Sequence, residues 1–228
     1  GETWPQRHTV LPDDHNGRTK EGKALVDAIE ASGKRPIKHD DFETIKAMRE
    51  VVMTHELARA ALSNGEPEQS LYWRDERFGI WCRARPDWLP NKSRIVVDYK
   101  TCIEASDEHI KKDAANYGYH QQAAWYLDGI TSIGLIDDPI FLFVFQEKSP
   151  PYIARLVQLS ANAIHRGRQL NDVARAAFAT CLRSGVWPGY SDDIEEIGLP
   201  GWYESRLQWS EDAGRLAVEF QRPLEEVE

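Results

Sequence analysis

Ile95-Val-Val-Asp-Tyr-Lys100, preceded by Arg83-Ala-Arg-Pro-Asp87, is the stretch on which the reading of this chain turns. Its β-branched start predicts a strand. Side chains alternate faces along a strand, which puts Val96, Asp98 and Lys100 on one side and Val97 and Tyr99 on the other. A carboxylate and an ammonium therefore share the polar end of an otherwise apolar strand. Asp87, directly after Pro86 in the preceding segment, can reach the same spot. Two carboxylates, helped by a main-chain carbonyl such as that of Tyr99, make a hard oxygen site suited to magnesium, with manganese as a substitute. Such an ion would bind a phosphate oxygen and lower the pKa of an attacking water. Lys100 could hold that water or stabilise charge building in the transition state. Each piece alone has an ordinary reading: Asp-x-Lys at a solvated strand edge, Pro-Asp in a turn. Joined in this order on consecutive elements, they point to phosphodiester hydrolysis.

Outward from that strand, hydrophobic periodicity organises the rest. Residues 19–31 place Ala24, Leu25, Ala28 and Ile29 at helical spacing and stop at Ser32-Gly33. One long helix is expected from Asp40 or Asp41, with Glu43 completing a capping box, to about Leu62. Its apolar face would hold Ile45, Met48, Val52 and Leu57, and Asn64-Gly65 would end it. Residues 70–73 and 78–83 flank Arg74-Asp-Glu-Arg77 as a hairpin. Residues 113–127 read as a helix ended by Asp128-Gly129, and 140–146 and 153–159 as strands separated by Ser149-Pro-Pro151. A long helix over 161–182 closes at Ser184-Gly185. This order predicts an α/β fold with one mixed central sheet flanked by helices.

With 228 residues, a single domain is expected, with its core at about 40–185, an N-terminal arm over 1–18 and an acidic tail over 191–228. Net charge is −9, which at first opposes a nucleic-acid partner. From Ser191 onward, however, eleven acidic residues face three basic ones, so the tail alone holds −8 of it. The charge neither supports nor excludes DNA. The three cysteines, Cys82, Cys102 and Cys181, form no CxxC pair and no zinc or iron–sulfur set, and reduced buried thiols are expected. No apolar run approaches the roughly 18–20 residues of a membrane span. The opening Gly1-Glu2-Thr3-Trp4 shows neither a basic leader nor an apolar signal core, so no membrane partner and a cytoplasmic location are expected.

The ordered set Arg83-Ala-Arg-Pro-Asp87, Ile95-Val-Val-Asp-Tyr-Lys100-Thr101 and Gln122-Ala-Ala-Trp-Tyr126 resembles the core of the PD-(D/E)XK nuclease superfamily. The last of these matches the Gln-x-x-x-Tyr motif of its RecB-like and exonuclease branches. With Gly65-Glu-Pro-Glu68-Gln-Ser70 and Tyr117-Gly-Tyr-His-Gln-Gln122, the chain most resembles the nuclease domain of RecE (exodeoxyribonuclease VIII) and its phage-encoded relatives, over about residues 15–190. The resemblance implies a restriction-endonuclease-like core. It also implies a magnesium-dependent 5′-to-3′ exonuclease that works from double-stranded DNA ends and exposes a 3′ single strand for recombination. An annealing protein of the RecT type, a ring-shaped homo-oligomer, and a bacterial or phage-infected cell as the setting come with it.

Carried over position by position, Asp87, Asp98 and the Tyr99 carbonyl would be metal ligands and Lys100 the catalytic lysine. Gln122 and Tyr126 would approach the DNA or buttress the site, being one helical turn apart on one face. His55 fits the metal-binding histidine of the RecB-like branch, and Glu68 a further acidic residue before the first core strand. Glu56 is an alternative to either. Arg83, Arg85, Lys111 and Lys112 flank the site as phosphate contacts, with Lys111-Lys112 opening the helix that bears Gln122. Trp73, Trp81 and Trp88 crowd the same region, and core packing is expected for all three. An endonuclease of the same fold and a catalytically inert DNA-binding module remain the alternatives.

Overall fold

A computed structural model describes residues 4–191 and 193–215. The chain runs α1 (Trp4–Arg7), β1 (His8–Val10), α2 (Lys20–Ala31), β2 (Arg35–Ile37), α3 (His39–Thr54) and α4 (Glu56–Ala61). Five strands follow: β3 (Gly65–Pro67), β4 (Leu71–Asp75), β5 (Ile80–Ala84), β6 (Trp88–Pro90) and β7 (Ile95–Cys102). Then come α5 (Asp107–Asn116), α6 (Tyr119–Ser132), β8 (Ile140–Glu147), β9 (Ala154–Val157), α7 (Ala161–Ser184) and α8 (Gly201–Asp212). Two compact units divide it, Gly1–Arg183 and Ser184–Glu228. In the second unit α8 is preceded by irregular chain. The expected acidic tail falls outside the described residues at 192 and from 216 onward.

A five-stranded mixed sheet in the order β3-β6-β7-β8-β9 forms the centre of the first unit. β7 and β8 run parallel over eight residues, with Asp98 opposite Phe143, and the other pairs are antiparallel. A parallel neighbour needs a crossover, which α5 and α6 supply. Being central, β7 is covered on both sides, and its faces join different cores. Val96 and Cys102 pack with Phe141, Phe143, Phe145 and the α6 residues Ala123 and Ile130. Val97 packs with Val144 and Ala61 on the other side. The alternation predicted from the sequence therefore holds along β7.

Several expectations about elements need correction. The single helix to Leu62 is broken at His55, whose extended backbone (φ −74°, ψ 109°) ends α3 and starts α4. Its ring Nδ1 accepts from the Ala58 N–H at 3.3 Å, so a side-chain cap competes successfully with helix continuation. Consequently Leu57 lies exposed rather than on an apolar face, and Ile45 is also exposed. The helix begins at His39 after Lys38, without a side-chain cap from Asp40 or Asp41. The helix expected over 113–127 is two: α5 starts at Asp107 under a Ser106 cap, and Gly118 at φ +68° turns the chain into α6. Gly129 lies inside α6 rather than beyond its end. A Cβ there would meet the Trp73 ring at 2.7 Å, so its absence lets helix and hairpin close together. Finally, β4 and β5 form a separate two-stranded sheet, and the short β3 and β6, broken up by prolines, complete the main sheet instead. Within the expected N-terminal arm, β1 pairs in parallel with β2.

Candidate active site

Asp98 lies on the polar half of β7 and is only 1% exposed. Its Oδ1 accepts from Gln122 Nε2 on α6 at 2.8 Å, and its Oδ2 contacts the Lys100 ammonium. That Oδ2 is buried, and the Lys100 ammonium is the charged group paired with it there. Burial pushes the carboxyl up from 3.8 to about 6 against the downward pull of the Lys100 hydrogen bond and charge, while the Asp87 charge adds to the rise. Water is excluded from a charge that Lys100 and Gln122 only partly satisfy. Lys100 Nζ also sits 5.2 Å from the centre of the Tyr119 ring, a cation–π contact.

Asp87, in the bend just before β6, reaches the same strand. Its Oδ2 accepts from the Tyr99 N–H at 2.8 Å, on the residue between Asp98 and Lys100. It also borders a largely apolar groove of about 480 Å³ lined by Met48, Val52, Trp88, Val97 and Tyr99. Glu68 joins from the edge: its N–H donates to the Asp87 carbonyl at 3.2 Å, and its carboxylate pairs with Arg85 at 2.8 Å. Its backbone is left-handed, φ +56°, a strained conformation for a residue with a side chain.

The Gln-x-x-x-Tyr face of α6 buttresses both acidic strands. Gln122 orients Asp98, while one turn on the Tyr126 hydroxyl donates to the Arg85 carbonyl at 3.2 Å. Between them Trp125 Nε1 donates to the Arg83 carbonyl at 2.9 Å. The segment leading into Asp87 is thus fastened at two carbonyls by the helix that fastens Asp98. Helix α6 braces both the strand that carries Asp98 and the short irregular segment that carries Asp87.

The other sequence-selected residues fall less neatly. His55 is occupied as the α4 cap. Among the described residues, Asp87, Asp98, Glu68 and His55 do not supply three ligand atoms mutually within 4.8 Å; Asp13, His39 and Asp40 are the group that does. Those three border a different cavity, of about 660 Å³, and both acids are exposed. Lys111 and Lys112 lie on α5, so they do not open the helix bearing Gln122, because Gly118 intervenes. Glu56 is exposed at the start of α4. Arg83 and Arg85 are exposed next to Asp87. Of the tryptophans, Trp73 is core and Trp88 half-buried, but Trp81 is 73% exposed, contrary to the expected packing.

Gln146 was not visible from the sequence as part of the site. It is fully buried, accepts from the Tyr99 hydroxyl at 2.5 Å, and donates to the carbonyls of Met48 and Tyr152 at 2.8 and 3.1 Å. It thereby ties the residue between Asp98 and Lys100 to the helix that ends at His55. A glutamine at the end of an apolar run gave no signal beyond its polarity.

The residues present fit a hard divalent cation. Asp98 presents a buried oxygen whose contact is the Lys100 ammonium, Asp87 offers a carboxylate on the Tyr99 N–H of the same strand, and Glu68 a further one on Arg85 in the adjoining segment. Each acid is held by protein donors: Asp98 by Lys100 and Gln122, Asp87 by the Tyr99 N–H, Glu68 by Arg85.

A family model described as "PDDEXK-like domain of unknown function (DUF3799)" matches residues 13–200. The chain belongs to that family. The PDDEXK-like assignment and the five-stranded sheet agree on a restriction-endonuclease-like fold. A crystal structure of a "Putative exonuclease" from Eubacterium rectale superposes with a TM-score of 0.54 at 13% identity, covering 83% of this chain and 79% of that one. At that identity the likeness concerns the fold. The crystal structure of SSO0001 gives a TM-score of 0.32 at 15% identity, covering 75% and 76% of the two chains. No curated protein matches the sequence. Among the described residues, no helix is long and apolar enough to cross a membrane. PDDEXK nucleases typically use divalent metal ions, and among the described residues Asp13, His39 and Asp40 form the group with metal-ligand spacing.

Proposed function

We propose that this PDDEXK-like chain is a magnesium-dependent 5′-to-3′ exonuclease that degrades one strand of duplex DNA from its ends. The 3′ single strand so exposed would serve an annealing protein of the RecT type, with the nuclease working as a ring-shaped homo-oligomer. The observation that carries the reading is Asp98: a buried, raised carboxyl held between Lys100 and Gln122, with Asp87 bonded to the intervening residue. A structural ion pair alone would gain little from burying a carboxylate against its desolvation cost, whereas a ligand site needs this arrangement. The ordered motifs, including Gln122 and Tyr126, support the resemblance to RecE-like nucleases, and the polarity is what that resemblance implies.

Asp87 and Asp98 would hold the cation, with the Tyr99 carbonyl and Glu68 as further oxygens. When bound, the ion supplies Lewis acidity at the scissile phosphate and favours ionisation of the attacking water. The protein's own part is positioning. Lys100, beside the Asp98 carboxylate, would face the phosphate and offset negative charge in the transition state. Gln122 keeps the Asp98 carboxylate oriented, and Tyr126 keeps Asp87 in reach by holding the Arg85 carbonyl just before it.

Linear duplex DNA labelled separately at its 5′ and 3′ ends, compared with covalently closed circles, tests the reading. Release of 5′ label in magnesium, with circles untouched and EDTA inhibiting, is the expected result. Cutting of circles would replace it with an endonuclease of the same fold. Retained DNA binding without cleavage in magnesium or manganese would leave an inert binding module.

A further inference from the structure

The hairpin of β4 and β5 has two unlike faces. Leu71, Trp73, Ile80, Cys82 and Ala84 are buried, and the residues between them are exposed. On that outer face the register sets Tyr72 opposite Arg83 and Trp81 opposite Arg74. Directly opposed residues lie about 5 Å apart and diagonal ones about 7–8 Å. The four side chains therefore make one patch in which two aromatic rings and two guanidiniums alternate. Tyr72 is 59% exposed and Trp81 73%. Large rings on a two-stranded ribbon are normally placed inward, as Trp73 is.

The patch is held rigidly. Trp73 seats against Gly129 of α6, Trp125 bonds the Arg83 carbonyl, and Arg175 of α7 pairs with Asp75 at 2.6 Å at the hairpin's end. It also leads into the site. Trp81, Arg83 and Arg85 are alternate residues, all exposed, and Asp87 is the next alternate position. From Trp81 to Asp87 is at most about 20 Å of chain, the length of roughly six stacked nucleotides at ~3.4 Å each.

We propose that this outer hairpin face binds a single-stranded run of the DNA substrate, with bases stacked on Trp81 and Tyr72 and phosphates paired with Arg74 and Arg83. This rests on the nuclease reading and extends it, by making unpaired DNA beside the cleavage point a ligand. Arg74 keeps only a 3.7 Å pair with Glu76, so the patch offers cations and π-faces together. That combination tracks a polyanionic strand while accepting any base, which favours a nucleic acid over a protein occupant of ordinary composition. Duplex interiors hide base faces, so the patch discriminates in favour of unpaired strands.

Binding is measured by fluorescence anisotropy in EDTA, where no cleavage complicates it, with labelled oligothymidylate and with a blunt duplex of equal length. Trp81→Thr and Tyr72→Thr remove the rings while keeping strand propensity, and Trp81→Phe restores a ring. The proposal expects oligothymidylate binding to weaken about fivefold or more in each Thr variant, with Trp81→Phe close to wild type and duplex binding little changed. Unchanged melting temperatures in the same samples show that the hairpin remains folded. Oligothymidylate affinity unaltered by both Thr variants would overturn it, in favour of a protein-docking face. Equal losses on oligothymidylate and duplex would overturn the single-strand assignment. Magnesium-dependent cleavage of linear duplex is scored separately. Ring-dependent binding without cleavage would refute the nuclease reading and keep this surface, whereas cleavage with ring-independent binding would do the reverse.

Discussion

Replacing Asp98 by asparagine should raise stability at neutral pH and have little effect below about pH 4, a difference that follows from burial. The folded state holds the Asp98 carboxyl up at about 6, against an ordinary 3.8. A raised folded-state pKa means that the favourable contribution is complete below the unfolded value and is lost as pH rises through the folded one. At ~1.36 kcal/mol per pH unit, the wild-type protein forfeits about 3 kcal/mol between those limits. The amide of the Asp98→Asn variant has no proton to lose and keeps an acceptor for Gln122. Removing the carboxylate also deprives Lys100, 21% exposed, of its ion pair. That pair exists only while Asp98 is ionised, so its loss is already contained in the net upward shift and adds no separate cost. Urea unfolding of both proteins in EDTA at several pH values reads the difference directly, provided the slopes with denaturant match. The variant's advantage should grow from about pH 4 to about pH 7 by up to ~3 kcal/mol. Parallel pH profiles would refute the claim that Asp98 is ionised at a desolvation cost. Adding magnesium should favour only the wild type, since the cation stabilises the ionised carboxylate.

Three more outcomes follow from the same contacts. Gln122→Leu removes the donor that orients Asp98 and should weaken magnesium affinity about 10–100-fold, measured as the metal concentration needed to raise the melting temperature. Gln146→Leu strands the Met48 and Tyr152 carbonyls and the Tyr99 hydroxyl, so a loss of about 2–4 kcal/mol in unfolding free energy is expected, and Tyr99→Phe should cost less because it frees only one acceptor. Gly129→Ala gains helix propensity but drives a methyl into the Trp73 ring, and a net loss of about 1–2 kcal/mol should result, seen in thermal unfolding.

The strand that decides the fold was readable because two physical signals coincide on it. β-branched residues fix the strand, and period-two alternation then fixes which side chains share a face, so Asp98 and Lys100 fall together beside a core. The partners of that strand were less legible. Tyr126 and Gln122 could be paired by helical spacing, but not assigned to the Arg85 carbonyl and Asp98, since those contacts depend on how α6 lies across the strands. Helix ends were misread where a side chain or a packing need outweighed the local pattern. His55 caps a new helix inside an unbroken apolar rhythm, and Gly129, a stop signal by composition, serves a close approach to Trp73. Trp81 was expected inside because tryptophan usually is; the register with Arg74 put it outside. Gln146 left no trace in the sequence because its partners are backbone carbonyls up to 98 residues away.

Acid-soluble nucleotide release from linear duplex DNA in magnesium, by wild type and by Lys100→Ala at matched DNA binding, tests the central claim most directly. The account predicts release that EDTA abolishes and that the variant lowers by about a hundredfold or more, with affinity for DNA kept. Equal release by the variant, or none by either protein, would contradict it.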